Sequence, residues 1–98
     1  MPQSYTYPIS NQWTTEEIID VVNFLVAVEK VYQGGNSLAA IQASYAKFKA
    51  VVPSKSEEKQ IDRDFKTTSG YSTYQVVKAM KDALNKQVSA KDKIRLEV

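Results

Sequence analysis

The order of apolar and polar residues along the chain predicts a series of helices. From Ile18 to Tyr32, apolar residues recur three and four positions apart, and further apolar residues flank them, so the polar stripe is narrow. Such a helix is either the central element of its domain or part of a subunit interface. From Leu38 to Val52 the same spacing gives one core-facing stripe, which predicts a second helix.

Capping motifs predict where the first three helices begin and end. Thr14 and Glu17 in WTTEEI have the spacing of a capping box, and SKSE before the third helix repeats that pattern. Pro53 ends the second helix, because proline lacks the backbone N–H that a helix needs. The third helix has only two large apolar residues, Ile61 and Phe65, and we therefore expect it at the periphery of the core.

The segment SGYSTYQ, residues 69–75, is interpreted as a joint between two helices. Gly70 can end the third helix, because glycine adopts the left-handed backbone conformation without strain. Ser72 is the expected N-cap of the fourth helix, with Gln75 as its capping-box partner. Its hydroxyl should therefore be occupied by backbone amides, which makes it a poor phospho-acceptor. Tyr74 lies in the first turn but takes no part in the cap, so it is a candidate for a functional contact.

Taken together, the patterns predict one all-α domain over residues 1–98, a four-helix bundle-like fold with an extended N-terminal arm. The predicted segments are the arm 1–13, helices at about 15–33, 37–52, 55–68 and 73–87, and a flexible basic tail 88–98. The end of that tail, IRLEV, alternates enough to be a weak strand candidate.

The composition argues against an enzyme. The 98 residues include no histidine and no cysteine, so the commonest general base, thiolate nucleophiles and cysteine metal clusters are excluded. No glycine-rich phosphate loop is present. Glu16 with Asp20, and Glu58 with Asp62, are carboxylate pairs at helical spacing, but two ligands make an incomplete site for a hard cation. We therefore predict no catalytic residue, no cofactor, no metal and no small-molecule ligand.

The location of the protein is predicted from missing signals. The longest apolar run has five residues, far fewer than the roughly 20 that a membrane helix needs. The beginning MPQSYTYPIS has neither the basic nor the apolar region of a signal peptide. We expect a cytoplasmic protein without a membrane partner.

The chain carries a charge asymmetry that bears on its partner. Residues 1–65 hold six basic and eight acidic residues, a charge of −2, whereas residues 66–98 hold seven and three, a charge of +4. A nucleic-acid-binding protein that uses the basic fourth helix and C-terminal tail is therefore the alternative function. The second and third helices also have helix-turn-helix proportions, but the third carries as many acidic as basic residues, and its carboxylates would be repelled by phosphates.

Six tyrosines and one tryptophan favour a protein-protein interaction or regulatory module. Some of these aromatic side chains are expected to close the small core. The candidates for contact with a partner are Tyr5, Tyr7, Tyr74, Lys78 and Lys81. The wide apolar arc of the first helix also leads us to predict a homodimer.

Several short motifs resemble those of one bacterial family. They are YTYPIS, WTTEEII, VVNF, the segment FKAVVPSKSEEKQ and the segment SGYSTYQVVK, which together span about Tyr5 to Lys81. In these motifs the chain resembles uncharacterised protein family 0223. The resemblance implies an all-helical bundle and no known activity, so no functional residue is carried over from it.

Overall fold

The computed structural model describes residues 7–97, and within that range the chain forms four helices and one short two-stranded sheet. In chain order the elements are α1 (Thr15–Tyr32), β1 (Asn36–Ser37), α2 (Leu38–Val51), α3 (Lys55–Ser69), α4 (Thr73–Asn85) and β2 (Lys93–Ile94). The predicted all-α, bundle-like class is confirmed. None of the helices between residues 7 and 97 combines the length and the apolarity needed to cross a membrane.

The core is built around α1, as its wide apolar arc predicted. Phe24 of α1, Phe48 of α2 and Phe65 of α3 are fully buried, and the rings of Phe24 and Phe48 lie 4.6 Å apart between centroids. From α3 only Ile61 and Phe65 are buried, which confirms its peripheral position. α4 contributes a stripe of buried side chains that includes Met80.

The caps at the helix starts follow the sequence motifs to different degrees. At α1 the backbone N–H of Glu17 donates to Thr14 Oγ1 at 3.2 Å, and the N–H of Thr14 donates to Glu17 Oε1 at 2.8 Å, so this capping box is confirmed. Ser54 at α3 and Ser72 at α4 each accept from the backbone N–H three residues on. Gly70 ends α3 with a left-handed φ of 82°, also as predicted.

The sequence predicts a flexible basic tail over residues 88–98, and the structure describes this segment as far as residue 97, where it lies against the rest of the domain. β2 pairs antiparallel with β1, with Ile94 opposite Asn36. The side chains of Val88, Ile94 and Leu96 pack against the core. The alternation from Ile94 to Leu96 explains this, because it turns Ile94 and Leu96 inward and leaves Arg95 in solvent.

The tail also supplies hydrogen-bond acceptors to the start of α2. The first N–H groups of a helix have no partner within the helix. The N–H of Leu38 donates to the carbonyl of Asp92, and the N–H of Ala39 donates to the carbonyl of Ala90, both at 3.0 Å. The tail is therefore held both by packing and by backbone groups that need partners.

Candidate functional site

An open cleft of about 610 Å³ lies between α2, α3 and α4. Each helix turns residues three, four or seven positions apart toward it, which is the spacing of one helix face. We call it the lysine cleft, and its lining residues are Tyr45, Lys49, Lys55, Glu58, Lys59, Asp62, Thr73, Tyr74, Val77 and Lys81. Four lysines and two carboxylates give this lining a net charge of +2.

Glu58 joins two side chains of α2 across the cleft. It accepts a hydrogen bond from the hydroxyl of Tyr45 at 3.1 Å, and it forms an ion pair with Lys49 at 2.8 Å. Burial, together with the negative charge and hydrogen bond of Glu58, raises the pKa of Tyr45 to about 12. The carboxylate of Glu58 is therefore occupied by partners within the chain.

Asp62 fixes the beginning of α4. Its Oδ1 accepts hydrogen bonds from the hydroxyls of Ser72 at 3.3 Å and Thr73 at 2.8 Å, and from the backbone N–H of Tyr74 at 3.1 Å. A carboxylate at this position also offsets the partial positive charge at the helix start. Asp62 therefore occupies the place that an external anion would take at this helix terminus.

Tyr32 of α1 contacts the segment between α3 and α4. Its hydroxyl lies 3.4 Å from both the carbonyl oxygen and the backbone nitrogen of Ser72, and its ring stacks on Tyr71 at 4.8 Å between centroids. Burial raises the pKa of Tyr32. The hydroxyl of Ser72 accepts from the N–H of Gln75 at 3.2 Å, so the predicted structural role of this serine is confirmed.

Three lysines of the cleft have no such partner. Within the described range 7–97, the side chains of Lys55, Lys59 and Lys81 form neither a salt bridge nor a side-chain hydrogen bond. Lys55 and Lys59 lie one turn apart on α3, and Lys81 lines the same cleft from α4. The positive charge of the cleft is therefore available to a ligand.

Tyr74 lies beside these lysines and is 62% exposed. It follows two buried residues, Ser72 and Thr73, and lies two helical turns from Lys81 on the same face of α4. Val77 adds an apolar surface to the cleft. An exposed aromatic ring, an apolar wall and unpaired lysines thus meet at one place.

The structure brings together two of the five predicted contact residues. Tyr74 and Lys81 both line the cleft, whereas Lys78 is exposed on α4 outside its lining. Tyr7 is half-buried, its hydroxyl donates to the carboxylate of Glu29 at 3.0 Å, and its ring packs on Phe65. Tyr5 lies outside the described residues.

Sequence reasoning did not identify the contribution of α3 to this site. It treated the helix as electrically neutral, although Lys55 and Lys59 are four residues apart and so project from one face. The fold then occupies Glu58 and Asp62, the carboxylates nearest to them in the cleft, with other partners. The spacing of Lys55 and Lys59 could have indicated a basic face on α3. Only the fold shows that Glu58 and Asp62 are bound to other groups of the chain.

Most of the apolar arc of α1 is covered by the rest of the chain. Val22 and Val26 are half-buried, and Ile19 is 51% exposed. The tail reaches the end of α1, where the N–H of Leu96 donates to the carbonyl of Val31 at 3.2 Å. The central position of the helix in its own domain therefore accounts for most of the arc.

Comparison with known proteins places the chain in a family. The model of the uncharacterised protein family UPF0223 matches residues 4–89. The UPF0223 protein of Streptococcus gordonii is 46% identical over 89 residues, which cover 91% of this chain and 97% of the relative. The relative from Oceanobacillus iheyensis is 51% identical, covering 81% of this chain and 90% of its own. A relative from Listeria welshimeri is 44% identical, covering 86% and 93%. The chain therefore belongs to the uncharacterised protein family UPF0223, which the motifs between Tyr5 and Lys81 had indicated.

Proposed function

We propose that this protein is a non-enzymatic interaction module of the cytoplasm, and that it binds a protein partner in the lysine cleft. The observation that carries the proposal is the exposure of Tyr74 at the cleft, next to Val77 and the unpaired Lys81. Tyrosine is enriched in protein interfaces because its ring is apolar and its hydroxyl is polar. The ring also loses little conformational entropy when it is fixed by a partner.

Site-directed photo-crosslinking in cells tests this proposal. A photoreactive phenylalanine analogue is placed at position 78, which is exposed on α4 next to the cleft and leaves all lining residues intact. We expect a protein adduct that disappears when Tyr74→Ala is added. The same analogue at position 47, exposed on α2 outside the lining, serves as the control. Equal adducts at both positions, or an adduct that Tyr74→Ala leaves unchanged, would refute the proposal.

Nucleic-acid binding through α4 and the tail is the second candidate, and its support is the lysine content of this region. Lys78 and Lys81 are exposed on α4, and Lys86 follows them. Against it, the overall charge of +2 is a weak attraction for a phosphate backbone. Treating the crosslinked sample with nuclease separates the two functions, since a protein adduct survives the treatment and a nucleic-acid adduct does not.

Self-association through α1 stays a prediction, and the exposed apolar surface that could carry it is smaller than the sequence indicated. Ile19 is the exposed member of the arc, flanked by Val22 and Val26 at helical spacing. Sedimentation of the native protein at high micromolar concentration is the test. A monomer there would refute the homodimer and would leave the cleft proposal unaffected.

A further inference from the structure

We infer that the partner of the lysine cleft presents an acidic segment, whose glutamate or aspartate side chains bind between Lys55, Lys59 and Lys81. This inference rests on the proposed function and adds the chemistry of the partner. It is carried by the distribution of paired and unpaired charge within one cleft.

The two carboxylates of the cleft do not neutralise Lys55, Lys59 and Lys81, and these three lysines are exposed to a ligand. Glu58 is occupied by Lys49 and the hydroxyl of Tyr45, and Asp62 accepts three hydrogen bonds from the start of α4. Neither carboxylate forms an ion pair with the other three lysines. Complementary charge is therefore expected on the ligand.

The occupied start of α4 affects which anions fit. A helix N-terminus with free N–H groups suits a single phosphate or sulfate ion. Here Asp62 already accepts from the N–H of Tyr74, so no such cradle is open at this end. Anion recognition falls to three lysines on two helices, Lys55 and Lys59 on α3 and Lys81 on α4, and each of these point charges can pair with a separate carboxylate.

Tyr74 and Val77 favour a peptide over a nucleic-acid strand in this cleft. Val77 gives an apolar wall that methylene groups of glutamate side chains can contact. One exposed aromatic ring offers only one stacking position, whereas proteins that bind single strands place several along a basic groove.

Titration of the isotope-labelled full chain, followed by amide NMR, tests the inference. The probes are a blocked hexaglutamate peptide, a blocked hexaglutamine peptide, inorganic phosphate and oligothymidylate, each at low salt. We expect hexaglutamate to shift the amides around Lys59, Tyr74 and Lys81, and we expect hexaglutamine to shift none of them. Raising the salt concentration should weaken the binding, because these lysines are exposed.

A pair of matched variants locates the interaction. Replacing Lys55, Lys59 and Lys81 by glutamine should weaken hexaglutamate binding roughly tenfold, as three exposed charge pairs imply. The control replaces three exposed lysines outside the lining by glutamine, namely Lys30, Lys47 and Lys91. It changes the net charge by the same amount and should leave binding within about twofold, since long-range attraction alone is screened. Circular dichroism checks that both variants keep the helical fold.

The other outcomes overturn either the inference or the proposed function. Equal weakening in the two triple variants would mean general charge attraction. Tighter binding of oligothymidylate at the same amides would assign the cleft to nucleic acid, and equal shifts with inorganic phosphate would assign it to small anions. If the crosslink at position 78 still depends on Tyr74 while hexaglutamate does not bind, the protein-binding function stands and the acidic partner is refuted. If the crosslink fails while hexaglutamate binds in the cleft, the proposed function is refuted instead.

Discussion

Replacing Asp62 tests how α3 fixes the start of α4. Asp62→Ala removes the acceptor of three hydrogen bonds, from Ser72, Thr73 and the N–H of Tyr74. Two of the donors sit on residues that are 7% and 4% exposed, Ser72 and Thr73, so they regain little solvation in the folded state. The perturbation therefore leaves polar groups without partners and removes a negative charge from a helix N-terminus.

The expected loss follows from the number and geometry of these bonds. A hydrogen bond to a charged group contributes about 1.5–3 kcal/mol net. The bonds from Thr73 at 2.8 Å and Tyr74 at 3.1 Å have good lengths, and the one from Ser72 at 3.3 Å is long. Tyr74 is exposed, so water can replace part of the bond from its N–H, whereas the hydroxyls of Ser72 and Thr73 are shielded. We therefore expect Asp62→Ala to lower the free energy of unfolding by about 2–3 kcal/mol. Asp62→Asn, which keeps an oxygen acceptor, should cost about 1 kcal/mol.

Urea unfolding followed by circular dichroism measures both variants. A loss of about 2–3 kcal/mol corresponds to a melting temperature lowered by roughly 10–20 °C in a domain of this size. The matched control is Asp64→Ala in the same helix, because Asp64 is exposed and, among residues 7–97, its side chain accepts a hydrogen bond only from Gln60. It should change stability by less than about 0.5 kcal/mol. Equal stability of the Asp62→Ala and Asp64→Ala variants would refute the assigned role of Asp62.

Three further predictions concern the end of α4, the packing of Leu96 in the tail, and the hydroxyl of Tyr45. Gln87 has a left-handed φ of 58°, and the N–H of Val88 donates to the carbonyl of Ala83 at 3.0 Å, so Gln87→Gly should raise the free energy of unfolding by about 1 kcal/mol in urea titrations. Leu96 packs partly buried against the core, so Leu96→Ala should lower it by about 1 kcal/mol in the same assay. Folding raises the pKa of Tyr45 from 10 to about 12. The stability that its protonated hydroxyl contributes is therefore present below pH 10 and lost as the pH rises toward 12, which unfolding measured across this pH range will show.

Each of these predictions has its own contrary result. If Gln87→Gly lowered the free energy of unfolding, as glycine does within a helix, the result would contradict the backbone strain assigned to Gln87. Arg95→Ala is the control for the tail, since its side chain is exposed and its ion pair with Glu97 is long, at 3.9 Å. Equal losses at positions 95 and 96 would argue against the packing of Leu96 on the core. For Tyr45, the Tyr45→Phe variant should lose less stability than the unaltered protein as the pH rises from 10 toward 12. An equal loss of stability would show that other groups cause the decline.

Local signals allowed most helix ends to be predicted from the chain. Thr14 with Glu17, and the hydroxyl of Ser72 with the N–H of Gln75, act within four residues, so the sequence shows these caps directly. Gly70 ends α3 because glycine, which has no Cβ, adopts the left-handed conformation without strain, and this needs no distant partner. The central role of α1 was also predictable, because its narrow polar stripe means burial on nearly every side.

The tail and the cleft depended on contacts between distant segments. The alternation in IRLEV made it only a weak strand candidate, and the pairing of Lys93 and Ile94 with β1, like the bonds from the start of α2 to Ala90 and Asp92, depends on backbone groups far away in the sequence. Tyr7 looked like a free contact residue, yet Glu29 and Phe65 lie within reach of it only in the folded chain.

The sequence by itself determined the helical class, the caps at most helix ends and the order of the helices, because capping and periodicity are interactions between near neighbours. Only the tertiary structure decided which charges are free. Asp62 and Glu58 lie among the lysines of α3 in the sequence, but folding assigns them to Thr73, Tyr74, Tyr45 and Lys49. Charge balance within a helix therefore says little about the surface that the helix presents, since hydrogen bonding across helices determines which ionised groups remain available.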